Sequence, residues 1–202
     1  MIVGHTDKIR MQVRHIASDG KIYIDSDSFL PLTLVGNEVT LFTRKQGTYS
    51  ALKGGTVEAL GAIHFASAAH RSGDKGISKG QLYVELGLHG EDRQKQVERA
   101  GVRVGDSILL DRPIKRGFAP DAFSGAYLDN GLGCFVTAQI ARMVAADPDT
   151  AKNVRCLFTF ASHEEIGRFG SRVMAGVLKP DLLIAVDVNH DYEAVMRVST
   201  RA

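Results

Sequence analysis

The apolar and polar positions divide the chain into two kinds of region. From residue 9 onward, apolar residues come in short β-type runs separated by turn formers. IRMQVRHI (9–16) alternates, Ser18-Asp19-Gly20 reads as a turn, and KIYID (21–25) follows, which together predict a β-hairpin. Further strand-type runs are VTLFTR (39–44), TVEALGAI (56–63), QLYVELGL (81–88) and the stretch GVRVGDSILLD (101–111). One charged helix is expected over EDRQKQVERA (91–100), with Gly101 at its C-terminal cap. Many short strands with frequent turns suggest a small barrel or sandwich. Residues 112–125, with two prolines and two glycines, are loop-like.

After Leu128 the period changes. Leu132, Phe135, Val136, Ile140, Met143 and Val144 recur at helical spacing on one face, and Asp147-Pro148-Asp149 ends that helix. VRCLFTFAS (154–162) is a continuous apolar run of the kind found in buried parallel strands. A helix is expected over 170–177, and LLIAVDV (182–188) is the next buried strand. Met1–Gly4 reads as the end of another such strand, leading into His5. Alternating strands and helices predict an α/β fold with a doubly wound, mostly parallel sheet. The expected organisation is an α/β domain formed by residues 1–8 and 122–202, interrupted by a mostly β, barrel-like domain at 9–121.

Composition narrows the function classes. With 25 basic and 23 acidic residues the net charge is +2, which argues against a nucleic-acid binder. No apolar run reaches the ~18 residues of a membrane span, and MIVGHTDKIR lacks a signal-peptide pattern. The two cysteines, Cys134 and Cys156, sit in apolar segments without a CxxC partner, as reduced core thiols of a cytoplasmic protein would.

The candidate chemistry lies at the ends of the apolar runs. His5-Thr6-Asp7, Asp129-Asn130, Glu164-Glu165 and Asp187 each fall at or just past a strand end or at a helix start. Ligands of open α/β sheets bind outside the carboxyl ends of the strands, so these groups would converge on one crevice. Several carboxylates there would repel one another as bare anions. One imidazole with several carboxylates is instead the donor set of a hydrolytic Zn, Co or Mn centre, in which a shared carboxylate can bridge two ions. Taken singly, each piece has an ordinary structural reading: a hydrogen-bonded histidine, an N-cap at Asp129-Asn130, a solvated Glu-Glu pair. His163-Glu164-Glu165 is not HExxH, because Gly167 stands four after His163.

GHTD, AYLDNGLGCF, FTFASHEEIGRFGS and LLIAVDVNHD resemble, in order, the motifs of the tetrahedral metallo-aminopeptidases, a family that includes glutamyl and deblocking aminopeptidases and proteins once labelled endoglucanases. The resemblance runs over essentially the whole chain. It implies two divalent metal ions per subunit, with His5 and Asp187 on the first, Glu165 on the second and Asp129 bridging. It implies Glu164 as general base and Asp7 as the carboxylate orienting His5. It also implies hydrolysis of N-terminal residues from peptides, and a homo-oligomer built from dimers through the inserted domain. A deacylase or carboxypeptidase on the same centre, or a non-catalytic piece acting in assembly, are the competing readings. The chain departs from the family in several places. No position matches the family's distal histidine ligand, and His190 lies only three residues past Asp187. Lys8, Arg10 and Gly131 stand where acidic, Gly and Arg residues are usual, and the tail EAVMRVSTRA differs from the family's continuation. The chain thus resembles the middle of such an enzyme, short at both ends.

Overall fold

The structure, a computed structural model, describes residues 1–191 apart from 27, 46, 60 and 62. The tail EAVMRVSTRA lies outside the described residues, as do two positions of the run 56–63. The chain forms two compact units, one of Ile9–Ala126 and one joining Met1–Lys8 to the described residues from Tyr127 onward.

In chain order the elements begin with β1 (Ile2–His5), β2 (Met11–Ile16), β3 (Ile22–Asp25), α1 (Pro31–Leu34), β4 (Glu38–Lys45) and β5 (Thr48–Ala59). They continue with α2 (Ala68–Ser72), β6 (Leu82–Glu85), α3 (Arg93–Arg99), β7 (Ser107–Leu110), β8 (Lys115–Arg116) and β9 (Phe123–Ser124). The last are α4 (Leu128–Ala146), β10 (Phe158–Ala161), α5 (Phe169–Leu178) and β11 (Ile184–Ala185).

The Ile9–Ala126 unit is a closed barrel of order β2-β3-β6-β5-β4-β7. Alternation builds it: Met11, Val13, Ile22, Ile24, Leu41, Val84 and Ile108 point inward and are fully buried, while Gln12 and Arg14 between them face water. Val97 of α3 and Val102 belong to the same core. The pairing of β2 with β7 closes the cylinder and leaves no strand edge open. Gly20 takes φ +86° in the tight turn between β2 and β3, a conformation open to glycine at little steric cost.

The other unit holds a parallel sheet of order β10-β1-β11. Register places Ile2, Gly4, Phe158, Phe160 and Ile184 on one face, and Val3, His5, Thr159, Ala161 and Ala185 on the other. Helix α4 packs on the first face. A Cβ on Gly4 would stand 2.9 Å from the carbonyl carbon of Gly133, so two glycines allow this close approach. That contact fixes the helix rotation and departs from the apolar stripe expected from the sequence. Asn130, Gly133 and Thr137 face inward and Val136, Ile140 and Val144 are half-buried, whereas Leu132 (51% exposed), Phe135 (59%) and Met143 (70%) point outward. The two late strands are also shorter than their apolar runs, and Leu182, Leu183 and Ile184 are exposed. Among the described residues no element in this unit covers them.

Candidate metal centre

Three chain segments end at the same rim of the parallel sheet. β1 finishes at His5, whose ring is only 4% exposed. Thr6 bonds through its backbone N–H (2.8 Å) and its hydroxyl (3.0 Å) to the carbonyl of Ala161, which holds the end of β1 against the end of β10. After β10 the chain turns through His163 (φ +59°) into Glu164 and Glu165, and α5 starts beyond Arg168 (φ +61°). β11 continues to Asp187, with the N–H of Val186 bonded to the carbonyl of Val3 at 2.9 Å. Asp129 arrives from the opening of α4, where residues 129 and 130 have non-helical backbone angles, so the regular helix begins after them.

Asn130 fixes that opening. Its side-chain oxygen accepts from the Gly133 N–H (2.8 Å), and its amide donates to the Val186 carbonyl (2.8 Å), with the residue 1% exposed. One buried side chain therefore caps the helix and ties it to the strand that carries Asp187. Replacing Asn130 with alanine leaves a buried N–H and a buried carbonyl unpaired. We expect a loss of about 3 kcal/mol, measurable by denaturant titration, together with weaker metal binding.

The groups converge as the strand ends dictate. His5 Nε2 stands 3.1 Å from Asp129 Oδ1, 3.8 Å from Glu164 Oε2 and 3.8 Å from Asp187 Oδ2. Donor atoms of His5, Asp129 and Asp187 all lie within 4.8 Å of one another. His5 Nδ1 is 3.2 Å from the backbone oxygen of Asp7 and 3.5 Å from its carboxylate. Donation from Nδ1 to that backbone oxygen leaves Nε2 as a free lone pair facing the carboxylates. Asp7 Oδ2 accepts the N–H of Glu165 at 3.1 Å, while Asp7 Oδ1 is buried without a hydrogen-bond partner. Asp7 thus braces the turn that presents Glu165.

Glu164 divides its carboxylate. Oε2 faces His5, and Oε1 accepts from Arg168 Nε at 3.2 Å. Burial, and next the charge of Asp129, push the Glu165 carboxyl above the usual carboxylate range. A rim of crowded carboxylates around one buried imidazole favours a divalent cation, which removes their mutual repulsion. The donor set of imidazole nitrogen and carboxylate oxygens fits such an ion. The rim opens into a cleft of about 400 Å³ lined by His5, Asn130, Glu164, Arg168, Ser171 and Asp187, among others.

Several supports of this site escape a reading of sequence alone. Cys134 donates its thiol to the His5 carbonyl at 3.0 Å. Arg168 is one that a local signal could have found, since a Glu and an Arg four apart are a readable pair. His163 lies on the exposed side of the turn, bonded to Ser162 Oγ at 3.0 Å. The backbone N–H of His190 bonds to Asn189 Oδ1 at 2.9 Å.

Comparison with known proteins agrees with this architecture. A lysyl aminopeptidase from Pyrococcus furiosus is 28% identical over 190 residues, covering 93% of this chain and 50% of that protein. A TET aminopeptidase from a marine sediment archaeon of the Thaumarchaeota superposes with a TM-score of 0.74 at 21% identity, over 93% of this chain and 50% of that one. The Pyrococcus horikoshii TET1 peptidase, which can assemble into a tetrahedron or a large octahedral shell, gives a TM-score of 0.69 at 18% identity over 92% and 52%. The chain spans about half the length of the curated relatives it matches. Residues 1–200, nearly the full length, match the model of the M42 glutamyl aminopeptidase family. The chain belongs to that family, whose divalent-metal chemistry the cluster of His5, Asp129 and Asp187 is equipped to hold.

Proposed function

We propose that this chain carries the metal-binding and proton-transfer machinery of an aminopeptidase that removes N-terminal residues from peptides. The observation that carries the reading is the convergence of one donor atom each from His5, Asp129 and Asp187 within 4.8 Å, beside Glu164. In this reading His5 and Asp187 would hold a first ion and Glu165 a second, with Asp129 shared between the two. Zn, Co and Mn all suit these donors. Such ions, when bound, supply Lewis-acid polarisation of the scissile carbonyl and an acidified water. Glu164, through the oxygen that faces His5, would accept a proton from the attacking water and pass it to the leaving amine. Arg168 holds the opposite oxygen, which keeps Glu164 aimed across the cleft. Asp7 and the backbone around it set the tautomer of His5 and the position of Glu165.

Misplacing a catalytic group by about 1 Å can cost ~10²-fold in rate. Arg168→Ala is therefore expected to lower kcat by at least tenfold with KM nearly unchanged, and Arg168→Lys to recover part of the loss. Equal losses in both variants with unaltered Glu164 geometry would remove Arg168 from the scheme.

Peptides are the proposed substrates. The assemblies formed by the TET1 peptidase support a homo-oligomer. The proposed oligomer is built from dimers, with the domain at 9–121 as a dimerisation domain inserted into the catalytic one. Two free cysteines support a reducing, cytoplasmic setting, and no helix among the described residues is long and apolar enough to cross a membrane. The test is hydrolysis of aminoacyl chromogenic peptides by the purified, metal-supplemented protein. Release of the N-terminal residue, abolished by chelation, is expected. Cleavage of N-acylated substrates alone would favour a deacylase.

A further inference from the structure

The cleft beside the carboxyl rim is acidic, with one exception. Among the described residues that line it, Arg168 brings a fixed positive charge next to the carboxylates of Glu164 and Asp187. Its backbone takes φ +61°, in the left-handed region that residues with a side chain rarely adopt, and such outliers gather at ligand clamps. The Arg168 N–H donates to the Glu164 carbonyl at 3.0 Å, and the Arg168 carbonyl accepts from Ser171 Oγ at 3.0 Å and from the Arg172 N–H at 3.2 Å. The turn is held, yet the side chain it presents is 74% exposed. Nε donates to Glu164 Oε1 at 3.2 Å, and the terminal nitrogens of the guanidinium lie beyond that bond. A guanidinium is a planar fork of several N–H donors, so one fork can serve two carboxylates through different N–H groups.

We propose that Arg168 also recognises the free α-carboxylate of a dipeptide, which makes dipeptides the preferred substrates of this site. The inference rests on the reading of Glu164 as the group that protonates the leaving amine. That amine belongs to the second residue of the substrate, so a cation bonded to Glu164 stands on that residue's side of the scissile bond. In a dipeptide the second residue ends in a carboxylate, whose carbon is two covalent bonds from the leaving nitrogen, roughly 2.5 Å away. Glu164 must come within ~3 Å of the same nitrogen. The substrate carboxylate and the guanidinium therefore both lie next to Glu164. Elsewhere along the cleft the substrate anion would meet Asp187 and Glu164, which repel it. A longer peptide puts a neutral amide in this place, and losing the charge-assisted contact costs roughly 10–100-fold in affinity.

The experiment uses the 202-residue chain supplemented with Mn. The binding probes are a leucyl-alanine analogue whose peptide bond is reduced to a methylene-amine, which cannot be hydrolysed, and its C-terminal amide. Titration calorimetry should find the free carboxylate form bound at least tenfold more tightly than the amide. Arg168→Ala should bring the two to equal affinity, and Arg168→Lys should keep part of the difference. Equal affinities in the parent, binding of neither probe, or a difference that survives in Arg168→Ala would overturn the proposal. Kinetics with leucyl-alanine, its C-terminal amide and leucyl anilide then separates it from the reading beneath. The parent should show kcat/KM at least tenfold higher for the free dipeptide than for the amide. Arg168→Ala should raise KM for the free dipeptide, while on the anilide, which has no carboxylate, it lowers kcat with KM nearly unchanged. Hydrolysis of all three substrates without a dipeptide preference defeats this role of Arg168 and leaves the aminopeptidase standing. An affinity difference that Arg168→Ala removes, with none of the three hydrolysed, upholds the carboxylate site and defeats the aminopeptidase reading.

Discussion

In the proposed two-ion reading, Asp129→Ala is expected to empty both metal positions together. Asp129 Oδ1 stands 3.1 Å from His5 Nε2, and the Asp129 carboxylate also contributes to the raised proton affinity of Glu165. In the proposed reading it is the carboxylate shared by the two ions. Losing even an outer partner of a metal ligand typically costs roughly 10–100-fold in affinity, so removal of a bridging ligand should cost at least ~100-fold at each ion. Folding should change little, because the Asp129 side chain is half exposed and its loss relieves crowding among the carboxylates. Elemental analysis of the variant should show both ions depleted in parallel, with an unaltered melting profile in chelator. Loss of one ion alone would make Asp129 a terminal ligand and require the two metal positions to be redrawn.

Glu164→Gln should separate binding from chemistry. The amide keeps the shape of the side chain and an oxygen for Arg168, but it has no basic carboxylate to accept a proton. Turnover should fall roughly 10²–10⁴-fold, while metal content and KM stay close to those of the parent. Steady-state kinetics alongside metal analysis makes the check. Metal lost together with activity would place Glu164 among the ligands, beside Asp187, which stands at the same 3.8 Å from His5 Nε2.

Much of this arrangement is legible in the order of residues alone. His5, Glu164 and Asp187 follow apolar runs, and a parallel sheet sends such run ends to one rim. The barrel strands are legible for a local reason too, since the period of two over IRMQVRHI reports one buried face. What the pattern does not carry is long-range closure. The pairing of Met11 with Ile108 joins strands far apart along the chain, and no local signal names that partner. The rotation of α4 is hidden for a different reason. A stripe of Leu, Phe and Met predicts an inward face, but the Gly4–Gly133 approach and the Asn130 bonds turn the small residues inward. Asn130 illustrates the limit. Beside Asp129 it reads as a local helix cap, which it is, while its bond to Val186 spans 56 residues and depends on the folded sheet.

Occupation of the carboxyl rim by a divalent ion held on His5, Asp129 and Asp187 is the central claim. Anomalous diffraction from crystals of the protein grown with Zn or Mn tests it most directly. The expected result is a peak about 2.0–2.2 Å from His5 Nε2, in contact with Asp129 and Asp187, that disappears in His5→Ala. A peak elsewhere on the chain, or one that survives in His5→Ala, would contradict it.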